Sequence, residues 1–373
     1  MKRVLSMILV LMFVLAVLPG CGGGNTGAGN TNQPASNPGQ TATNTPAPGN
    51  QPSGGPSGPS YDPFVLRVHH HDRAGSSINT WLTKWADEVS ARTDGLVTIE
   101  LYPDSILGEQ KMGYEMTTSG TCDISWLAIA ATPGVFPVSE AIQLPMLGFS
   151  DAKGATNVVM DMWEQTDYMS NEYKDFEVLL IHTNGDAAIY FAKETTLNSL
   201  ADLKGKNIRT VGSWVTKYCA AMGANPITVL ASEVYSSFEK GLIDGAITEW
   251  NFILGFQTYE LCKSYYRIRA SYSPDALVMN KDSYAKLPDE VKQIFEETTG
   301  RKGALEIADL YDAAAVTVIN EIIPQYNGIF NEPGETLKKE LTEICAPIWD
   351  EWIQENAGKF NSREILEWLR SQI

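Results

Sequence analysis

From Leu66 onward the chain repeatedly exchanges a short strand-like run for a stretch of helical spacing, and that alternation limits its fold more than any single motif. Leu66 to His69 reads as a strand, and Ile78, Trp81, Leu82, Trp85 and Val89 then recur at helical spacing until Gly95 ends the run. Leu96 to Leu101 alternates as a second strand, a helix is expected around Glu109 to Thr118, and Asp123 to Ile129 reads as another strand. A helical span from Asp151 to Tyr173 leads into a strand over Val178 to His182 and the Asn184-Gly185 turn. Strands and helices taking turns are the signature of a parallel α/β sheet with helices on its faces. With 43% hydrophobic and 10% aromatic residues, the body from Asp62 onward has ample material for a core, and its length suits two lobes. Leu337 to Ile353 and Ile365 to Leu369 read as amphipathic helices packing on those lobes.

The N-terminus has a different character. Lys2 and Arg3 precede an apolar run from about Met7 to Val17 and the sequence Leu18-Pro19-Gly20-Cys21. A positive start followed by a short apolar stretch and small residues is an export signal, too short to span a bilayer as a helix. Its ending resembles a lipobox, which implies cleavage before Cys21 and lipid attachment to that residue. Residues 22–60 are Gly, Asn, Thr, Pro, Ser, Gln and Ala, with no charge and no large apolar residue. Such a segment cannot offset its ordering entropy and is expected to be a disordered tether with an r.m.s. span on the order of 35 Å.

The formal net charge is −17, and loss of Lys2 and Arg3 with the signal makes it more negative still. A nucleic-acid partner is excluded on that balance, which contains no basic stripe. An anionic ligand would need a locally positive site. Besides Cys21 there are Cys122, Cys219, Cys262 and Cys345, with no Cys-x-x-Cys pair. Export permits oxidation, and sequence cannot rank the pairings; Cys122 and Cys219 lie in apolar patterns and are expected to be buried thiols. No enzyme signature is present: there is no Gly-x-Ser-x-Gly, no His-Glu-x-x-His and no phosphate-cradling loop ending in Gly-Lys-Ser/Thr.

Chemistry concentrates between Ser199 and Trp250. Asp202-Leu203-Lys204-Gly205-Lys206-Asn207-Ile208-Arg209 brings one arginine to a short apolar strand, Ile208 to Val211. A guanidinium is planar, permanently charged and able to donate two parallel hydrogen bonds to a carboxylate, which a lysine cannot do. Further on come Met222-Gly223-Ala224-Asn225-Pro226, Ser232-Glu233-Val234-Tyr235 and Lys240-Gly241-Leu242-Ile243-Asp244-Gly245-Ala246. This order and spacing resembles the DctP-type solute-binding proteins of tripartite ATP-independent periplasmic (TRAP) transporters. Arg92–Glu109, Ser119–Trp126 and Phe136–Phe149 are similar to first-lobe segments of the same family.

The resemblance implies a two-lobed α/β fold of the periplasmic-binding-protein type, class II, with a long helix spanning both lobes. Residues 1–21 are then the lipoprotein signal and lipobox, and 22–60 the tether. Residues 61–184 form lobe I, completed by about 273–310, and 185–272 form lobe II, completed by about 311–373. The chain would cross near Asn184-Gly185, return near Ser273 for a strand over Ala276 to Met279, and cross again in a helix from about Pro288 towards Ile323.

In the family the arginine at the position of Arg209 clamps the substrate carboxylate, so that role is carried onto Arg209. Ligands of open α/β sheets sit beyond the carboxyl ends of strands, which nominates three further regions. His69-His70-His71-Asp72 ends the first strand; alternation would put His69 and His71 on one side, and a ligand-contacting asparagine of sialic-acid-binding relatives falls at His71. Thr248, Glu249 and Trp250 follow the Ile243-Asp244-Gly245 turn, where a tryptophan offers a flat apolar wall. Some relatives place a metal-bridging carboxylate near Glu249. Trp214, beside the helix start at Ser213, and Trp126, at a strand end, complete the candidates. A His-x-His metal pair would need a second ligand cluster, which is missing, so metal is the lesser alternative here and a co-bound cation stays open; no cofactor is expected. Sialic-acid-binding relatives carry an arginine where this chain has Asp186-Ala187-Ala188, a glutamate at Ala128 and an asparagine at Thr248. The expected ligand is therefore a smaller or more aromatic carboxylate.

The reading is an exported, non-enzymatic binding lipoprotein, anchored through Cys21 at the outer face of the cell membrane or in the periplasm. It would capture an organic acid anion and deliver it to TRAP-type permease subunits driven by an ion gradient. A binding lipoprotein of an ATP-driven transporter, a ligand sensor and an exported enzyme are the rivals; only the family motifs separate the first two from the TRAP reading.

Overall fold

The computed structural model describes residues 61–373; the export signal, Cys21 and the tether lie outside the described residues. The first helix shows how local sequence builds the body. Ser76 accepts a hydrogen bond from the Asn79 N–H and caps the helix Ser77–Arg92, whose Ile78, Trp81, Leu82, Trp85 and Val89 are buried. Each such side chain contributes about 1.5–3 kcal/mol on burial. The helix stops where Asp94 and Gly95 adopt positive φ, at 50° and 78°.

Two sheets divide the strands. The first contains β1 (Phe64–His69), β2 (Val97–Tyr102), β3 (Ile124–Ala128) and β4 (Phe176–Thr183). The second contains β5 (Ala187–Phe191), β6 (Asn207–Thr210), β7 (Asn225–Thr228), β8 (Gly245–Glu249) and β9 (Ser264–Tyr266). β10 (Pro274–Asn280) joins the first sheet and β11 (Ile329–Asn331) the second. Their orders are β2-β1-β3-β10-β4 and β11-β9-β5-β8-β6-β7.

Neither sheet is purely parallel, contrary to the simple reading of strand and helix alternation. β1 runs parallel to β2 and β3, whereas β10 runs antiparallel to both β3 and β4. In the second sheet β6 is parallel to β7 and β8, and β5 is antiparallel to β8 and β9. The antiparallel pairs arise because β4 and β5, and again β9 and β10, are joined by short links that pass from one sheet to the other. These two links are hydrogen-bonded to each other. Asn184 N–H donates to the Ser273 carbonyl at 2.9 Å, Ser273 N–H to Asn184 Oδ1 at 2.8 Å, and Ala187 N–H to the Ser271 carbonyl at 3.0 Å. Paired extended links of this kind bend together without separating, which is hinge geometry.

The expected continuous helix from Pro288 to Ile323 is broken. It consists of Asp289–Thr298 and Gly300–Thr317, followed by a π-helical turn at Val318–Ile322 and a short helix Ile323–Gln325. The break falls at Gly300, whose φ of +56° an L-residue adopts only with strain. Gly300–Thr317 packs on β4 and on the helix Ala152–Gln165, and also on the helix Trp250–Gly255 that follows β8, so it touches elements of both sheets. The helix expected over Asp151 to Tyr173 likewise ends at Gln165, and that around Glu109 begins as a 3-10 turn, Gln110–Met112. At the C-terminus the helices are Glu335–Glu343, Cys345–Glu355 and Ser362–Ser371. Trp349 and Trp352 donate their indole N–H groups to the carbonyls of Pro145 and Pro137. The cysteines 122, 219, 262 and 345 are buried free thiols.

Candidate functional site

The C-terminal ends of β1, β3, β6 and β8 converge on a cavity bounded by residues of both sheets. The volume open to the centres of water molecules is about 80 Å³. At roughly 10–15 Å³ per water position, that is room for one compact organic molecule rather than an extended one.

Arg209 lines this cavity and is 3% exposed. It sits on β6, flanked by Ile227 of β7 and Ala246 of β8, so neighbouring strands fix its backbone on both sides. Its Nε donates to the Val229 carbonyl at 3.3 Å, and its guanidinium lies 4.6 Å from the centroid of Phe252. Phe252 in turn stacks on Phe256 at 4.3 Å, and Arg73 covers the far ring at 5.1 Å. Among the described residues no close ion pair includes Arg209. Burial lowers its pKa from the ordinary guanidinium value. Glu249 on the same wall favours the charged form but is not within ion-pair distance, and an anion placed directly against the guanidinium offsets the remaining cost of burying it.

Arg267 provides the contrast. It forms a two-point pair with Asp186, Nε and Nη2 each donating to one carboxylate oxygen at 3.0 and 2.9 Å. Asp186, in the segment after the Asn184-Gly185 turn, therefore consumes the nearby arginine. Among the described lining residues Arg209 carries the one permanent positive charge.

His71 lines the cavity, its ring stacked on Trp126 with centroids 4.8 Å apart. Burial, reinforced by His70, His69 and Arg209, pulls its pKa down to about 3, so it is neutral at pH 7. The Gln110 amide nitrogen lies 2.9 Å from its Nε2 and donates to it in that state. Trp126 also lines the cavity and donates its indole N–H to His182 Nε2 at 2.9 Å, the two rings lying in nearly parallel planes. Thr248 and Glu249 end β8 at the cavity wall, with the Thr248 hydroxyl donating to the Glu249 carboxylate at 2.6 Å.

Three sequence candidates lie elsewhere. His69 is buried but does not reach the cavity wall; β1 ends at His69, so strict alternation does not extend to His71 and the two do not share a face. Trp250 is the first residue of a helix rather than part of a turn, and its 0% exposed side chain packs with Phe330 and Ile253 in the core of the second sheet. Trp214, the second residue of the helix Ser213–Ala221, turns into the core; its indole N–H meets Glu140 at 3.2 Å and Lys217 covers its ring at 4.2 Å. A helix-starting tryptophan directs its side chain by the helix's rotamer preference, not toward the strand end before it. Ser213 borders an adjoining recess that shares Gln110, Ala130, Val211 and Ala231 with the cavity. No cluster of three or more metal-ligating side chains occurs among the described residues.

Sequence reasoning nominated the segment that contains Asp72 without giving that residue a role, and missed Gln143, Asn184, Ser273, Asp275 and Tyr311, all on the cavity wall. Asp275 and Gln143 carried a usable signal, a charged or amide residue inside an otherwise apolar run. Burial, together with the charges of Glu249 and Asp104, raises the pKa of Asp72 to about 7, with a bond to Ser76 opposing. Burial and the charges of Glu249 and Asp72 hold Asp275 well above the usual carboxylate range. Gln143 is 1% exposed, and its Nε2 has no hydrogen-bond partner; Ser273 Oγ is likewise buried and unpartnered.

Comparison with known proteins gives a consistent family. The bacterial extracellular solute-binding protein family 7 matches residues 68–356. The 2,3-diketo-L-gulonate-binding periplasmic protein YiaO of Escherichia coli is 28% identical over 64% of this chain and 72% of its own length. Among solved structures, a marine metagenome TRAP solute-binding protein described as specific for aromatic acid ligands superposes with a TM-score of 0.78 at 23% identity, covering 83% of this chain and 98% of that one. DctP7 of Bordetella pertussis, a receptor binding pyroglutamic acid, superposes with a TM-score of 0.73 at 22% identity, covering 82% of this chain and 99% of that one. No helix among the described residues is long and apolar enough to cross a membrane. With the family's match running from β1 through the helix Cys345–Glu355, and two hinged sheets enclosing a cavity with a buried arginine, the chain belongs to the DctP-type solute-binding proteins of TRAP transporters.

Proposed function

We propose that the protein captures a small organic acid in the cavity between its two sheets and presents it to a TRAP-type permease, with export directed by the N-terminal signal and attachment through lipid on Cys21. Arg209 holds the carboxylate; His71, Trp126, Thr248 and Glu249 shape the remainder of the pocket. The lobes follow the sheets, residues 61–184 and 185–272 being completed by the C-terminal half of the chain. The observation that carries the reading is Arg209 itself: a guanidinium 3% exposed, held on a central strand, lining a cavity and without an ion pair, while Arg267, off the cavity wall, is neutralised by Asp186. Closing the lobes on a ligand that touches both supplies the differential affinity that shifts an open form to a closed one.

The test is a thermal-shift panel of organic acids on the protein and on Arg209→Ala. A bound ligand stabilises by about RT ln([L]/Kd), a few kcal/mol at saturation. Losing one partner of a buried charge pair costs about 2–5 kcal/mol, so the variant is expected to bind carboxylates about 30-fold to several-thousand-fold more weakly. Hits that survive the substitution, or a response to neutral compounds alone, contradict the reading.

A further inference from the structure

The cavity wall opposite in charge to Arg209 is heavier than one carboxylate ligand requires. Asp72 follows the end of β1, Asp275 lies on β10 and Glu249 ends β8, and all three line the cavity with Arg209. They approach from different elements and from both sheets, so no local sequence accident explains their convergence. Each is deeply or partly buried, and none pairs with a lysine or arginine among the described residues. The charged and titratable groups facing them are Arg209 on β6, His71 beside Asp72, Tyr311 on the helix Gly300–Thr317, and Asp104, a further acid. His71 is neutral and Tyr311 adds no charge at pH 7, which leaves one cation against three acids.

We infer that the natural ligand is amphoteric, a small molecule bearing one carboxylate, held by Arg209, and one cationic nitrogen, held by the carboxyl groups of Asp72, Glu249 and Asp275. This inference rests on the proposed carboxylate role of Arg209 and narrows the ligand class. Two buried amide and hydroxyl groups on the same wall support a polar ligand: Gln143 Nε2 and Ser273 Oγ have no hydrogen-bond partner in the structure, and both residues line the cavity. The amide donor suits a carboxylate or carbonyl oxygen, and the hydroxyl accepts from an N–H as readily as it donates. A ligand with hydroxyl groups alone satisfies acceptors but leaves the mutual repulsion of the acids in place. A cation removes it, because opposite charge stabilises each ionised carboxylate. A purely anionic ligand neutralises Arg209 but gives the three acids no cationic partner, so Asp72 and Asp275 keep their protons.

Proton exchange distinguishes these cases by sign. Burial and mutual repulsion keep Asp72 and Asp275 partly or wholly protonated in the unliganded protein, Asp72 at about 7. A ligand ammonium lowers both pKa values and drives protons off; an uncharged ligand end has no such effect, and added negative charge draws protons on.

The experiment is isothermal titration at pH 7 in buffers of different ionisation enthalpy, using matched sets. L-alanine, β-alanine, γ-aminobutyrate and glycine betaine are each set against the amine-free acid and, where it exists, the hydroxy acid of the same skeleton. Arg209→Ala, Asp275→Asn and Asp72→Asn accompany the unaltered protein. At least one amphoteric compound is expected to bind tenfold or more tightly than its amine-free partner, with net proton release, and Asp275→Asn or Asp72→Asn to reduce that ratio while leaving the simple acid's affinity unchanged or improved. No amphoteric binder, or acids and hydroxy acids that bind better than their amine counterparts without proton release, overturns the inference; if those acids still depend on Arg209, the carboxylate reading stands. Amphoteric binding that persists unchanged in Arg209→Ala overturns both.

Discussion

Arg209 on β6 and Arg267 just after β9 differ in what holds them. Arg267 is neutralised by donating two hydrogen bonds to Asp186, whereas Arg209 has a carbonyl, an aromatic face and no acid within ion-pair distance. The guanidinium plane matters as much as its charge, since it both stacks on Phe252 and presents a fork to a carboxylate. Arg209→Lys is therefore expected to keep the charge yet weaken carboxylate binding about tenfold to a hundredfold, measured by titration calorimetry; equal affinity would show that charge alone suffices. Asp72 gives a second residue-scale outcome. Its pKa is 3.8 ordinarily and about 7 in the fold, so between roughly pH 4 and 7 the folded state holds more protons than the unfolded one. Its ionisation then destabilises the protein progressively as pH rises through that window. Asp72→Asn should raise the stability of the unliganded protein at pH 8 by a few kcal/mol, the gain fading toward pH 4. The depressed histidines act in the opposite direction but equally in both proteins, and cancel in the difference. Urea unfolding at both pH values checks this; a gain of equal size at pH 4 and pH 8 contradicts it. Arg209, His71, Trp126, Thr248 and Glu249 were legible because motif and strand ends mark them. Ser273 was not, since a buried polar side chain is recognised only once the neighbours that bury it are known; Asp72 lay in a nominated segment without a role, and the polar breaks at Gln143 and Asp275 did not by themselves point to a cavity.

At the scale of elements, the loop between β6 and the helix Ser213–Ala221 determines how closely the two halves approach. Gly212 has a φ of +83°, and a Cβ there would lie 2.7 Å from Gln143 Oε1 and 3.4 Å from the Ala130 Cβ. Gly212→Ala combines left-handed strain with a clash against a residue of the cavity wall. It should cost about 1–2 kcal/mol in stability by chemical denaturation and weaken ligand binding as Gln143 is displaced; unchanged stability and affinity would mean that the loop relaxes freely. Most strands and helices around the site were readable from periodicity, because apolar spacing reports burial directly. Strand direction was not, since the period of two is the same for parallel and antiparallel neighbours, and so the mixed pairing of β10 and β5 stayed hidden. The break at Gly300 was equally hidden, because the apolar spacing of Ile294, Phe295, Ala304, Ile307 and Ala308 continues on either side of it.

Across the whole molecule, the cleft is held by contacts that bridge helices lying on different sheets. Ser77 Oγ donates to Asn251 Oδ1 at 2.6 Å, and Arg73 lies over Phe256. Both tie the segment Arg73–Ser77 that leads into the helix Ser77–Arg92 to the helix Trp250–Gly255 and the Phe256 that follows it. Paired links together with a latch between the two halves form an arrangement in which ligand affinity depends on closure. Ser77→Ala removes a hydrogen bond between the two halves, worth about 0.5–1.5 kcal/mol; on the hinge account Kd is expected to rise about twofold to tenfold through faster dissociation. Stopped-flow measurement of both rates checks it; a change confined to the association rate would contradict the latch.

The most direct measurement is a crystal structure with a bound organic acid identified by the binding screen. The account predicts its carboxylate within hydrogen-bond distance of the terminal nitrogens of Arg209, beside Phe252 and between the two sheets. A ligand whose carboxylate lies elsewhere, with Arg209 turned to a protein carboxylate such as Glu249, would contradict it.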